Sequence, residues 1–105
     1  MPGCAAYAAN KGAIRTLSMV VAREWGRHGI RVNTVSPNMS GTIYDKMQPE
    51  YQEWASIMAK NCFRGKVGDP AKDFAPVIAF LASDESQWVT GENINVDGGG
   101  NPLVL

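Results

Sequence analysis

The sequence has few cysteines and no excess of charge of either sign. Its two cysteines, Cys4 and Cys62, lie far apart, so we expect neither a disulfide framework nor a metal site. We expect instead buried or half-buried thiols in a reducing compartment. Ten basic residues balance ten acidic ones. A net charge of zero gives no electrostatic reason to expect nucleic acid or an anionic membrane as a partner.

Long apolar runs are also missing from the sequence. No stretch approaches the roughly 20 apolar residues that a membrane-spanning helix needs. No charged segment followed by an apolar one opens the chain, so we expect no secretory signal. Hydrophobic residues make up 45% of the chain and charged residues 19%, as in an ordinary globular protein. The sequence therefore predicts a cytoplasmic protein with no membrane partner.

What the sequence does contain is a series of helix and strand signals. Apolar residues spaced three and four apart predict a first helix. Asp69 followed by Pro70 is typical of an N-cap and a first helical residue. Gly12, inside the first helix, suggests that another backbone packs closely there. The predicted elements are a helix over 5–27, a strand over 30–36, an irregular segment over 43–66 holding a short helix over 49–61, a helix from Asp69, and a strand over 93–96.

The order of these elements predicts an α/β fold. A strand, a helix and a second strand in succession imply two parallel strands joined by a right-handed crossover. Two parallel strands make a poor sheet by themselves, because parallel sheets are normally larger and buried on both faces. We therefore expect the first strand to have one open edge. We also expect the long helix to carry an apolar face that nothing in the chain covers.

The stretch "YAANK" suggests a chemical role for the first helix. Tyr7 and Lys11 stand one helical turn apart, so their side chains share a face. A nearby cation and the helix N-terminus both favour an ionised phenol, which suits a general acid or base. The same spacing also arises by chance in many helices, so a packing role stays open. The loop "PNMSGT" follows the predicted strand, at the end where open α/β sheets bind ligands.

Several blocks of the sequence resemble the short-chain dehydrogenase/reductase family. The blocks are "YAANKGAI", "IRVNTVSP", "VGDPAKDFAPVIAFLAS" and "TGENINVDGG", in that order, and they cover almost the whole chain. The resemblance implies the C-terminal portion of a Rossmann-like doubly wound parallel sheet, with residues 1–105 as one part of a single domain. The family's glycine-rich phosphate loop has no counterpart here, and its catalytic serine and asparagine would lie before Met1.

The resemblance also implies functional roles for particular residues. Tyr7 would be the catalytic acid and base, and Lys11 would favour its ionisation and bind the nicotinamide ribose. Pro37, Ser40 and Thr42 would contact the cofactor, which would be NAD or NADP. Asn38 stands where the family usually has a glycine, and Ser40 where it has a branched apolar residue.

Two functions follow from the resemblance. The first is an oxidoreductase that interconverts a small-molecule alcohol and a ketone or other carbonyl compound, in a protein that forms homo-oligomers. On this interpretation we expect the 105-residue chain to be incomplete and poorly active alone. The second is a non-catalytic fragment that acts in self-association. A stripe on the segment over 43–66 (Met47, Tyr51, Trp54 and Met58) could line a substrate pocket or simply pack on the core.

Overall fold

The computed structural model describes residues 4–39, 46 and 49–100. Its main elements are α1 (Ala5–Trp25), β1 (Thr34–Pro37), α2 (Pro49–Asn61), α3 (Ala75–Ala82) and β2 (Asn93–Val96). A π-helical turn, Pro70–Phe74, leads directly into α3. Short 3-10 turns follow α1, α2 and α3 at Gly26–His28, Phe63–Gly65 and Asp84–Ser86. The predicted order of helices and strands is confirmed.

The helix α1 ends earlier than its sequence pattern predicts. It stops at Trp25 rather than at residue 27, because the chain tightens into the 3-10 turn Gly26–His28. Gly29 then adopts a left-handed conformation with φ 73°, and its N–H donates to the carbonyl of Gly26 at 2.9 Å. A glycine suits this position because a side chain is disfavoured at positive φ. Gly29 is therefore the C-cap of the 3-10 turn that follows α1.

The two strands pair in parallel, as predicted. Thr34 lies opposite Asn93, and Pro37 lies opposite Val96. The strand β1 begins at Thr34 rather than at residue 30, so the predicted start is wrong. The preceding residues bond to loop and side-chain groups instead: the Val32 N–H donates to Thr90 Oγ1 at 3.1 Å. Within the described ranges the sheet has these two strands, which leaves the other edge of β1 without a strand partner.

The approach to α3 confirms the predicted N-cap at Asp69. The Asp69 carboxylate accepts hydrogen bonds from the N–H groups of Lys72, at 3.0 Å, and Ala71, at 2.8 Å. These bonds hold the pKa of the Asp69 carboxyl below its usual value. Pro76 lies in the first turn of α3, directly after the π-helical turn. A proline there lacks an N–H and cannot donate a backbone hydrogen bond to the preceding turn.

Little apolar surface is buried in the described part of the chain. Ala22 and Cys62 are its buried hydrophobic residues, and the other cysteine, Cys4, is half-buried, as predicted. Leu17 on α1 is 63% exposed, and no described atom outside the helix lies within 4 Å of a Cβ placed on Gly12. The expected uncovered face of the helix is confirmed, whereas the close backbone contact expected at Gly12 is not found among the described residues. No described helix is both long enough and apolar enough to cross a bilayer.

Candidate active site

Tyr7 and Lys11 project from the first turns of α1 on the same side of the helix. The Lys11 ammonium nitrogen lies 5.4 Å from the centroid of the Tyr7 ring. This distance is within the range of a cation–π contact, so the cation lies beside the face of the phenol ring. The Tyr7 side chain is 63% exposed and is therefore open to a ligand from solution.

A cavity of about 430 Å³ brings the pair together with the sheet. Tyr7 and Lys11 form part of one wall, and residues of β1 up to Pro37 form another. Tyr7 lines the same cavity as Pro37, the last residue of β1, and the carboxyl ends of strands are where α/β sheets bind ligands. The predicted site residues Tyr7, Lys11 and Pro37 therefore border one space.

The other two predicted cofactor residues cannot be placed. Ser40 and Thr42 lie outside the described residues, and so do Met47 and the side chains of Tyr51, Trp54 and Met58. The structure therefore does not test their predicted roles.

The floor of the cavity is polar, and the sequence reasoning missed the residues that form it, Thr34, Ser36 and Asn93. Thr34 Oγ1 donates to Asn93 Oδ1 at 2.9 Å, and Ser36 Oγ donates to the same oxygen at 3.2 Å. The Asn93 amide nitrogen in turn donates to Asn95 Oδ1 at 3.1 Å. Alternate residues of a strand share a face, so the pairs Thr34/Ser36 and Asn93/Asn95 could have been recognised as two polar rows.

Arg15 is a second cation on the cavity wall, and the sequence reasoning missed it as well. It stands one further helical turn along α1 from Lys11, so Tyr7, Lys11 and Arg15 form a column on one face. Repeating the four-residue step that links Tyr7 to Lys11 would have found it. The three residues give the cavity wall one phenol and two positive charges.

The start of the loop after β1 is fixed on both sides by backbone hydrogen bonds. The Asn38 N–H donates to the carbonyl of Val96 at 3.2 Å, and the Asn38 carbonyl accepts from the Gly68 N–H at 3.1 Å. Met39 forms a parallel bridge with Gly68. These contacts fix the backbone immediately after Pro37, and therefore one edge of the cavity.

The unusual residue at position 38 makes a specific contact. The Asn38 amide nitrogen donates to the sulfur of the buried Cys62 at 3.2 Å. A glycine at this position could not make that bond. Asn38 thereby connects the loop after β1 with the chain that follows α2, a link between residues 24 positions apart that no local pattern could reveal.

Asn33, directly before β1, makes hydrogen bonds that hold the local structure together. The Asn33 amide donates to the carbonyl of Val89 at 2.9 Å and accepts from the Glu92 N–H at 3.1 Å. Gly98 and Gly99 form a turn after β2. Among the described residues, no group of three histidine, cysteine or acidic side chains could hold a metal ion.

The α/β arrangement is that of part of a Rossmann-like fold. A family profile described as enoyl-(acyl carrier protein) reductase matches residues 1–101. The chain belongs to the short-chain dehydrogenase/reductase family.

Curated relatives are matched over much of this chain but over a minor part of their own length. A chloroplastic NADPH-dependent aldehyde reductase-like protein of Arabidopsis thaliana is 42% identical over 100 residues, covering 93% of this chain and 36% of the relative. The human (3R)-3-hydroxyacyl-CoA dehydrogenase is 41% identical over 93 residues, covering 89% of this chain and 34% of the relative. The chain thus spans about a third of the length of these proteins.

Solved structures confirm the Rossmann-like α/β prediction. A Sinorhizobium meliloti 1021 protein described as a short-chain alcohol dehydrogenase matches with a TM-score of 0.83 and 31% identity, over 95% of this chain and 39% of that one. The angucycline C-6 ketoreductase LanV, solved with bound NADP, matches with a TM-score of 0.73 and 33% identity, over 90% of this chain and 35% of LanV. The prediction of NAD or NADP is confirmed at the level of the family.

Proposed function

We propose that this chain provides the proton-transfer side of an NAD(P)-dependent oxidoreductase that interconverts an alcohol and a carbonyl compound. The observation that carries the proposal is the single cavity shared by Tyr7, Lys11 and the carboxyl end of β1. The names of the relatives, a reductase and a dehydrogenase, support the same class of reaction.

The residues around the cavity suit a nicotinamide nucleotide. Lys11 offers an ammonium group to ribose hydroxyls, and Pro37 offers a flat apolar surface beside the ring. Ser40 and Thr42 follow in the loop and are proposed to contact the cofactor as well. When bound, NADH or NADPH supplies the hydride for the reaction.

The proton is moved by the phenol. During reduction Tyr7 gives the proton of its hydroxyl to the carbonyl oxygen, and during oxidation it takes the proton from the alcohol hydroxyl. Lys11 stabilises the phenolate that remains after each proton donation, because its positive charge lies beside the ring. Both residues therefore act on the same step, one by transferring the proton and the other by stabilising the charge.

A chimera tests these roles in a complete protein. The matching 100 residues of the Arabidopsis relative would be replaced by this chain, and NADPH oxidation would be followed with an aldehyde as substrate. Tyr7→Phe should lower kcat by about 10²–10⁴-fold, the usual contribution of a general acid. Lys11→Met should lower kcat and also raise the KM for NADPH. Lys60→Met, at the exposed end of α2, is the matched control and should change neither value by more than about twofold.

An active chimera in which Tyr7→Phe keeps kcat within about threefold of its parent would overturn the proposal, because so small a loss leaves no place for proton transfer by Tyr7.

The exposed apolar side chains of α1 favour a second candidate function, self-association. Ile14, Leu17 and Val20 are all exposed on this helix. Contiguous apolar surface of this kind favours association between protein copies. We propose that the protein forms homo-oligomers through this helix. Sedimentation velocity over a wide concentration range should show species larger than the monomer, and a folded monomer at every concentration would contradict this proposal.

A further inference from the structure

A second cavity, of about 220 Å³, lies at the carboxyl end of β2. It shares no lining residue with the cavity that holds Tyr7 and Lys11. It is lined by Asn38, Val96 and residues of the segment over 63–68. Its position beyond the carboxyl ends of both strands is one where α/β folds bind ligands.

The walls of this second cavity are held in place by backbone hydrogen bonds. The Phe63 N–H donates to the carbonyl of Gly98 at 2.6 Å, which fixes the start of the segment against the turn after β2. The Gly68 N–H donates to the carbonyl of Asn38 at 3.1 Å, which fixes the end of the segment against the loop after β1. The cavity is therefore a preformed space with defined walls.

The lining of the second cavity carries more positive than negative charge. Arg64 and Lys66 both border it. Asp73 is the one acidic residue in its lining, and one of its carboxylate oxygens already accepts the Asp69 N–H at 2.7 Å. Asp69 lies next to the cavity and is itself engaged as the cap of the following helix. The two cations therefore outnumber the acidic lining residue.

Arg64 also adopts an unfavourable backbone conformation. Its φ is 63° and its ψ is 17°, and it is the one non-glycine residue at positive φ among those described. Glycine or asparagine would be more relaxed there, so an arginine at this position points to a role for its side chain. The guanidinium carbon lies 5.1 Å from the centroid of the Phe63 ring, which keeps the cation beside an apolar wall.

The remaining walls are apolar. The Phe63 side chain is 71% exposed, and Val67 and Val96 complete an apolar surface next to the two cations. We infer that this cavity binds the anionic end of an amphipathic ligand, a carboxylate or phosphate carried on a short apolar chain. The inference does not depend on proton transfer by Tyr7, although a substrate of the proposed reaction could place its far end here.

Binding of hexanoate by this chain tests the inference, with hexanol as the uncharged probe of equal length and acetate as the short anion. Two-dimensional amide NMR should show hexanoate shifting the signals of Gly68 and Gly98, with an affinity about fivefold or more above that of either control. Raising sodium chloride from about 0.02 M to about 0.5 M should weaken the binding, because salt screens exposed charges. Equal binding of hexanol, or binding that is insensitive to salt, would overturn the inference.

Two variants test the cations separately. Arg64→Asn removes the charge and keeps a residue that tolerates positive φ, and Lys66→Gln removes the second charge. Each should weaken hexanoate binding about fivefold. Lys60→Gln, which lies outside the lining, should leave it unchanged. An equal loss of hexanoate affinity in Lys60→Gln would contradict the inference that the anion binds in this cavity. If the NMR spectrum shows that Arg64→Asn does not fold, Lys66→Gln and the salt series test the inference in its place.

Tyr7→Phe keeps this experiment independent of the proposed reaction. The variant should bind hexanoate as the parent does, because Tyr7 does not line this cavity. A loss of binding in Tyr7→Phe would place hexanoate in the other cavity and contradict the inference. If the proposal of proton transfer by Tyr7 failed in the chimera, the hexanoate binding results would still stand, because they are measured on this chain without any reaction.

Discussion

The sheet and the helix α1 are held in place by different means. Arg31, just before β1, donates from its guanidinium to the carbonyls of Leu81 at 2.8 Å, Ser83 at 3.2 Å and Val89 at 3.2 Å. These bonds tie the entrance of β1 to the end of α3, across about 50 or more sequence positions. By contrast, Ala22 is the one buried residue along the 21 residues of α1.

The difference between the two regions bears directly on the candidate site. The sheet supplies Pro37 and the polar floor, and these positions are fixed within the chain by hydrogen bonds. The helix α1 supplies Tyr7 and Lys11, and most of its apolar surface has no cover in the described structure. The sheet side of the site is therefore held by hydrogen bonds within the chain. The stability of the other side, α1, is expected to depend on further protein surface.

Replacing Arg31 should produce the largest change in stability. Arg31→Ala removes three hydrogen bonds from a charged donor and leaves carbonyls of Leu81, Ser83 and Val89 with fewer partners. The free energy of unfolding should fall by about 2–4 kcal/mol, measured by urea denaturation followed by circular dichroism. Arg23→Ala, on the exposed surface of α1, should stay within about 0.5 kcal/mol of the parent. Equal losses of unfolding free energy in Arg31→Ala and Arg23→Ala would contradict the difference between the sheet and α1.

Two glycine substitutions compare the regions at the level of a single methyl group. A Cβ on Gly100 would overlap Cys62 Sγ and lie 3.1 Å from Asn38 Nδ2, so Gly100→Ala should destabilise the chain by about 1–3 kcal/mol. Gly12→Ala meets no described neighbour and should stabilise α1 by about 0.5–1 kcal/mol, because alanine favours helix. Thermal unfolding measures both. A destabilising Gly12→Ala would show that another surface packs on α1.

The cap of the third helix should give a smaller, pH-dependent effect. Hydrogen bonds from Lys72 and Ala71 lower the pKa of Asp69 in the folded state, so they stabilise the fold above the carboxyl's usual pKa. That contribution should disappear as the pH falls below about 4 and through the lowered pKa. Asp69→Ala should lower the melting temperature at pH 7 but much less at pH 2, whereas Asp69→Asn keeps an acceptor and should stay near the parent. A drop in melting temperature that is equal at pH 7 and pH 2 in Asp69→Ala would contradict this account.

A charge on the exposed face of α1 should have the smallest effect on stability and should act on association instead. Leu17→Asp should change the free energy of unfolding by no more than about 0.5 kcal/mol, because Leu17 is 63% exposed. The same change should shift the species seen by sedimentation velocity toward the monomer, whereas Thr16→Asp adds the same charge as a control. A loss of more than about 2 kcal/mol in Leu17→Asp would show that this face is packed within the chain.

The sequence predicted those features of the fold whose signals are local. The cap at Asp69 and the helix Pro49–Asn61 follow from neighbouring residues, and the structure confirms both. The start of β1 could not be predicted in this way, because the bond from the Val32 N–H goes to Thr90, 58 positions away. Local β propensity over 30–33 was outweighed by these distant bonds.

The candidate site likewise combines features that follow from local sequence with features that depend on distant contacts. The spacing of Tyr7 and Lys11 was sufficient to place them on one face of α1, since helix geometry fixes it. The role of Asn93 as acceptor for two hydroxyls depends on the register of the two strands, which the sequence does not specify. The bond from Asn38 to Cys62 depends likewise on how the chain folds back after α2.

We propose that this chain carries one wall of a nicotinamide site, in the cavity that Tyr7 and Lys11 share with the end of β1. A fluorescence titration of NADPH into the chain tests this claim most directly. We predict binding weaker than about 1 mM, the upper end of ordinary KM values, and a further loss in Lys11→Met. Saturable binding tighter than about 10 μM that is unchanged in Lys11→Met would contradict the claim, since the site would then be complete and located elsewhere.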